Sequence, residues 1–218
     1  MATATPTPTP TAAPAARPVA GSKLVIAVPD VGPAQYYGYQ LKWPYSTRNT
    51  DLGVGQSLLD FDGVNIGPLI ASSWSVDDTG VTYKIRQGVP FHGGWGNVTA
   101  DDVAFSFNDS MREGNLHTMT GNVTRDFSKI EVVDQYSVRF TFRAKPTIRW
   151  SMGTRTAGNG IHIQSKKAFD EKGGDWMIQN DTNTGPYTVT QHIADDRILL
   201  QAVPNHWYQN AYVQEITF

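Results

Sequence analysis

Cysteine is absent from all 218 positions, which excludes disulfides, thiolate chemistry and cysteine metal sites. Charge is scarce as well. Asp, Glu, Lys and Arg make up 17% of the chain and nearly cancel, for a formal net charge of −2. That balance leaves no electrostatic footprint for nucleic acid or an anionic membrane surface. No apolar run approaches the roughly 20 residues of a membrane-spanning helix. There is no G-x-S-x-G nucleophile turn, no H-E-x-x-H zinc helix and no phosphate-cradling G-x-x-x-x-G-K loop. The five histidines, His92, His117, His162, His192 and His206, include no pair at the i, i+4 spacing of a metal-binding helix. Asp101 and Asp102 are neighbours on a helix and do not face a common point, so capping explains them better than acid–base chemistry. Neither a cofactor nor an enzymatic activity is expected, and a chain of this length suits one large domain or two small ones.

What is present is glycine, threonine, asparagine and aromatic residues, a composition that suits an extracytoplasmic, β-rich protein. Residues 1–22 alternate Thr-Pro and Ala-Pro, which forms neither helix nor ladder, and the expectation is an extended tether. This stretch has no apolar core of the kind a signal peptide needs. Lys23–Pro29 reads as a buried strand. Residues 31–55 interleave Tyr36, Tyr37, Tyr39, Trp43 and Tyr45 with Gly, Pro and Asn. The rings either wall a binding cleft or pack the edge of the domain. Gln56–Gly63 reads as a helix end running into a turn.

Periodicity is clearest between Ile66 and Phe107. Val81–Arg86 alternates apolar and polar, as a half-buried strand does, after turn chemistry at Asp77–Gly80. His92-Gly-Gly-Trp-Gly96 is a loop, in which Trp95 either stacks on a ligand or caps the hairpin. Thr99 opens a helix, with Asp102 placed to reach back as in a capping box, and Val103, Phe107 and Met111 share one apolar face. Phe127–Asp134 and Tyr136–Phe142 form a hairpin, and Pro146 starts a short helix. Gly153–Gly160 is a flexible crossing that carries Arg155 and Asn159. A Ser165-capped helix ends at Gly173-Gly174, and Tyr187–Ile193 and Arg197–Ala202 form a second hairpin.

The central stretch resembles the family-5 extracellular solute-binding proteins, the receptors of peptide, nickel and oligosaccharide ABC importers. The resemblance rests on Pro68, Leu69, Ala71, Ser73, Trp74, Gly80, Tyr83, Arg86, Gly88, Val89, Phe91, His92, Gly94, Thr99, Ala100, Asp102, Val103, Phe105 and Ser106. Thr79 and Gly93 depart from it, each standing where an acidic or amide residue is usual. Asn183-Thr-Gly-Pro-Tyr187, Asn205-His-Trp-Tyr208 and Ala211–Phe218 extend the resemblance towards the end of the chain.

The resemblance implies an α/β fold: lobe I of a type II (cluster C) periplasmic-binding-protein-like receptor, with an inserted antiparallel β subdomain and the second lobe missing. It places residues 23–36 and 160–218 in the core α/β part and residues 37–159 in the β-rich subdomain. It implies solute capture by lobe closure, with a peptide as the solute, or an oligosaccharide or nickel complex. The partners would be ABC permease subunits, and the receptor a monomer, periplasmic or otherwise extracytoplasmic, anchored if an upstream lipid signal exists. Ligand contacts are expected from Tyr36, Tyr37, Tyr39, Trp43, Trp95, Arg155 and Asn159, no metal site is expected, and His92 is expected to brace its loop by hydrogen bonds. The competing readings are a carbohydrate-binding module that uses the aromatic face, and an extracytoplasmic enzyme.

Overall fold

A computed structural model describes residues 21–34, 36–37, 53–61, 64–117, 119–146 and 160–218. In chain order the elements are β1 (Lys23–Val25), β2 (Leu59–Phe61), β3 (Ile66–Pro68), β4 (Ala71–Val76), β5 (Gly80–Ile85), α1 (Ala100–Ser110) and α2 (Thr120–Asp126). They continue with β6 (Phe127–Asp134), β7 (Ser137–Phe142), α3 (Lys166–Lys172), α4 (Gly174–Gln179), β8 (Tyr187–Ile193), β9 (Arg197–Ala202) and β10 (Glu215–Thr217).

One antiparallel sheet has the order β4-β5-β7-β6. Its alternating sequence sends Val81, Tyr83, Ile85, Val138, Phe140 and Phe142 to a single buried face. Helix α1 lays Val103 and Phe107 onto that face. Phe140 sits among rings, edge-on to Phe107 at 4.8 Å, to Phe127 at 5.2 Å and to Tyr83 at 5.4 Å between centroids. Each such ring contributes about 1.5–3 kcal/mol through burial alone.

The start of α1 follows its sequence. Asp102 accepts from the Thr99 N–H at 2.9 Å and from the Thr99 hydroxyl at 2.8 Å. Its second carboxylate oxygen accepts from the Lys166 N–H at 2.9 Å, so the capping group also fixes the start of α3. The Ser165 cap is present too, with its hydroxyl oxygen accepting from Ala168 N–H.

A second four-stranded sheet has the order β1-β10-β9-β8, with β1 parallel to β10, and β2 and β3 pair as a two-stranded sheet. The β8–β9 hairpin forms as its alternation predicts, turning through Asp195 in a left-handed conformation at φ 61°. Among the described residues no helix is long and apolar enough to cross a membrane.

Two local expectations fail. Lys23–Pro29 is not a buried strand. Only Lys23–Val25 pairs, at the sheet edge, and Val25 is 76% exposed. An apolar run reports the right backbone, but it does not report whether another layer covers it. Gln56–Phe61, the described part of the expected helix end, is not helical either. Ser57 bridges His162, and Leu59–Phe61 pairs antiparallel with Ile66–Pro68. Buried Leu58 and Leu59 serve a strand as well as a helix. An element absent from the sequence reading, α4, follows Gly173, whose φ of 80° ends α3 and starts a new helix at once. The helix expected from Pro146 lies outside the described residues beyond its first position.

Candidate functional site

A polar seam joins the turn after β5 to the segment that leads into β8, and its deeply buried ionisable pair is His92 with Asp181. His92 lies in a 3₁₀ turn just after the β5 strand region, and Asp181 precedes β8. His92 Nδ1 donates to Asp181 Oδ2 at 2.8 Å, and Nε2 donates to the Gly185 carbonyl at 2.8 Å. Neither acceptor carries a proton to give, so the ring needs both of its own and is an imidazolium. Burial works against that charge. The Asp181 carboxylate and the Gly185 carbonyl outweigh it and raise the His92 pKa above its ordinary value.

Asp181 is equally committed. Burial opposes its charge, yet its hydrogen bonds hold its pKa below the usual carboxylate range. Besides His92, Oδ2 accepts from the Thr188 hydroxyl at 3.0 Å and the Val189 N–H at 3.1 Å. Oδ1 accepts from the Asn183 N–H and side-chain amide, both at 3.0 Å. The Asn183 carbonyl in turn accepts from the His92 N–H at 2.7 Å.

The segment Asn183–Tyr187 is the hub of the seam. Gly185 N–H donates to the Val54 carbonyl at 2.8 Å, and Thr184 Oγ1 donates to Gln56 Oε1 at 3.1 Å. The Thr184 carbonyl accepts from His206 Nε2 at 2.8 Å and from Trp207 Nε1 at 3.2 Å. Gln164 Nε2 donates to Asn183 Oδ1 at 3.0 Å. Gly185 is needed here for closeness rather than for an unusual φ. A Cβ on it would overlap the Gly53 carbonyl and lie 2.5 Å from the Val54 oxygen, both backbone atoms.

A buried His–Asp pair invites comparison with a general base. The geometry speaks against that role, because the histidine nitrogen that would take a proton is occupied by a carbonyl. Among the described residues no group of three or more His, Asp or Glu side chains is placed to hold a metal ion. What the seam does is tie the turn after β5 to the segment that leads into β8.

The residues expected to touch ligand are scattered. Tyr36 is 2% exposed; its hydroxyl bonds His192 Nδ1, and His192 Nε2 donates to the Gly32 carbonyl at 2.9 Å. Tyr37 is 1% exposed and donates to Asp109 Oδ2 at 2.7 Å. Both rings are buried and hydrogen-bonded in this structure, which favours the packing reading over the cleft-wall one. Trp95 is half-buried, edge-on to Trp176 at 5.6 Å. Tyr39, Trp43, Arg155 and Asn159 lie outside the described residues. Replacing Tyr37 with Phe is expected to cost about 1.5 kcal/mol, because it removes a hydrogen bond to a charged group. The urea midpoint should fall at unchanged m-value, and an unchanged midpoint would return Tyr37 to the list of ligand contacts.

Asp181 and Gln164 carry no marker in the sequence reading, and Asn183 enters it only as the start of the Asn183–Tyr187 resemblance. The run Asp181-Thr-Asn-Thr184 ahead of Gly-Pro is a usable signal, since four small polar residues in a row seldom serve a solvated strand.

Residues 65–218 match the bacterial extracellular solute-binding proteins, family 5, middle region. Di/tripeptide-binding protein 2 of Pseudomonas aeruginosa is 25% identical over 158 residues, which is 64% of this chain and 30% of that protein. The probable ABC transporter periplasmic-binding protein SapA of Escherichia coli is 28% identical over 171 residues, 69% of this chain and 31% of that protein. The chain thus spans about a third of the length of these curated relatives. Among solved structures, the fold is shared with Helicobacter pylori DppA in complex with the peptide STSA, at a TM-score of 0.74 and 21% identity, covering 89% of this chain and 42% of that one. It is also shared with Brucella suis NikA in complex with Fe(III)-EDTA, at 0.71 and 20%, covering 89% and 38%. The seam residues His92, Gly185 and Trp207 lie inside the matched span, and the α/β architecture around them is that of periplasmic binding proteins. With its match extending over well more than half of its length, this chain belongs to the family-5 bacterial extracellular solute-binding proteins.

Proposed function

We propose that this chain forms part of the first lobe of an extracytoplasmic receptor that captures an oligopeptide-like solute and delivers it to an ABC importer. The observation that carries this reading is the family match over residues 65–218. The peptide assignment draws further support from the Pseudomonas relative, named a di/tripeptide-binding protein. Capture would proceed by hinge closure of two lobes around the solute, which selects without chemistry. The core part of the lobe comprises residues 23–36 and 160–218, and the β-rich subdomain residues 37–159. The receptor works as a monomer with permease subunits as its partners.

The rigid seam fits this role, because a lobe that closes as a body must not flex between its own sheets. Trp95 stands at the Gly-rich loop with part of its indole exposed, and it remains a ligand contact in this reading, with Tyr39, Trp43, Arg155 and Asn159.

The test is calorimetric titration of this chain, and of the chain extended through its downstream reading frame. Three ligands are used: a mixed di- and tripeptide pool, cello-oligosaccharides and a nickel chelate. Saturable heat with peptides in the extended protein is the expected result. Saturation by cello-oligosaccharides alone would replace the peptide reading with a carbohydrate one. Silence with all three would end the receptor reading for these solute classes.

A further inference from the structure

A small chamber lies between α1, the turn at 115–117 and the segment 161–164. Its wall includes Tyr37, Asp109, Ser110, Asn115, His117 and a second buried histidine, His162. Its free volume is about 10 Å³, which is room for one water-sized centre. His117 is 5% exposed, and its Nδ1 accepts from the Met119 N–H at 3.1 Å. A neutral imidazole that accepts at Nδ1 carries its proton on Nε2. That Nε2 is fully buried and has no hydrogen-bond partner among the described residues. Buried N–H donors without an acceptor are rare in folded proteins, and a specific orphan of this kind points to an unseen group.

The chemistry of the wall narrows what that group is. A metal ion is disfavoured, since the nitrogen facing the chamber already carries the proton. An anion is disfavoured by Asp109, whose carboxyl lines the same space. The volume excludes an organic ligand. A water molecule satisfies every condition: it accepts one proton and gives two. The acceptors lining the space include the Asp109 carboxylate, the His162 ring and the Ser110 oxygen, whose own proton goes to the Phe107 carbonyl at 2.6 Å.

We infer that the chamber is a binding site for a single long-lived water molecule, held by His117 Nε2–H and bridging the end of α1 to the 115–117 turn. The site stands in a region already tied by polar contacts. Asn115 Nδ2 donates to the Asp109 carbonyl at 2.8 Å, and the His117 N–H donates to Asn115 Oδ1 at 2.8 Å. The water completes this set by engaging the one ring nitrogen that the set leaves over. It is part of the fold rather than of solute capture, so it stands or falls independently of the receptor reading.

The experiment is NMR of the chain with ¹⁵N-labelled histidine, paired with ¹⁷O relaxation dispersion. The His117 ring should show the Nε2–H tautomer and a rotating-frame Overhauser cross-peak from that proton to water. The dispersion amplitude should fall by one water in His117→Phe. An Nδ1–H tautomer would overturn the inference, as would an Nε2–H proton coupled to a protein acceptor instead of water. The tautomer and cross-peak are read on the unaltered protein, so the test survives even if the variant does not fold.

Discussion

Replacing Asp181 with alanine is expected to destabilise the fold by about 3–5 kcal/mol, a large share of the 5–15 kcal/mol that holds a typical domain together. The carboxylate receives five hydrogen bonds from four residues or backbone groups: His92, Thr188, Val189 and both nitrogens of Asn183. Alanine leaves those donors buried and, above all, leaves the His92 imidazolium without its counter-charge. The ring would discharge, keeping its Nε2 proton for the Gly185 carbonyl and leaving Nδ1 buried without its partner. Asp181→Asn is a milder insult. Its carbonyl oxygen still serves Asn183, and its amide donates to a neutral His92. Its amide also turns donors towards Val189 N–H and the Thr188 hydroxyl, so it is expected to cost about 2–3 kcal/mol, the range for buried groups left unsatisfied. Chemical denaturation of the three proteins at neutral pH measures the order. An alanine variant within 1 kcal/mol of the parent would mean that the seam does not depend on this carboxylate.

The contrast between what the sequence reveals and what it hides follows from range. Asp102 is three residues from Thr99, and its capping contact is written in that spacing. The β8–β9 hairpin and the Ser165 cap are local in the same way. His92 was legible as a loop-bracing residue, yet its partner is 89 positions away and no periodicity links them. The aromatic rings at Tyr36 and Tyr37 show the same limit from the other side. Interleaved rings state that flat apolar surface is available, but whether it meets solute or α1 depends on Asp109 and His192, at separations of 72 and 156 residues. Lys23–Pro29 fails for a third reason: its apolar run is real, but it lies at a sheet edge. Local chemistry fixes caps and turns, and burial is decided by what packs over them.

Stability should peak near pH 6.5–7 and fall on both sides, because the buried histidines are pushed in opposite directions. Burial holds His117 at about 4 and His162 at about 3, the latter with help from the neighbouring His117. Both are neutral in the fold, whereas in the unfolded chain they titrate near 6.5. As pH drops below 6.5 the unfolded chain takes up protons that the folded chain refuses, so stability falls with acidity. Two such groups should remove about 2 kcal/mol between pH 6.5 and 5.5, from a slope approaching 1.4 kcal/mol per pH unit for each. His206, lowered by burial, acts in the same direction. Asp102 and Asp109, raised by burial, take up protons in the fold and soften the loss nearer pH 4. His92 has the opposite sign. Its raised pKa makes its contribution complete below 6.5 and removes it as pH climbs through the folded value. Asp181, lowered, keeps its contribution throughout this range and loses it only below the ordinary carboxylate value. The check is the urea midpoint at half-unit intervals from pH 5 to 9. A flat profile between 6.5 and 5.5 would show that His117 and His162 accept protons in the fold. A fall on the alkaline side that persists in His92→Gln would take that limb away from His92. The acid limb therefore reports on His117 and His162, which the fold keeps neutral, and the alkaline limb on His92, which it keeps charged.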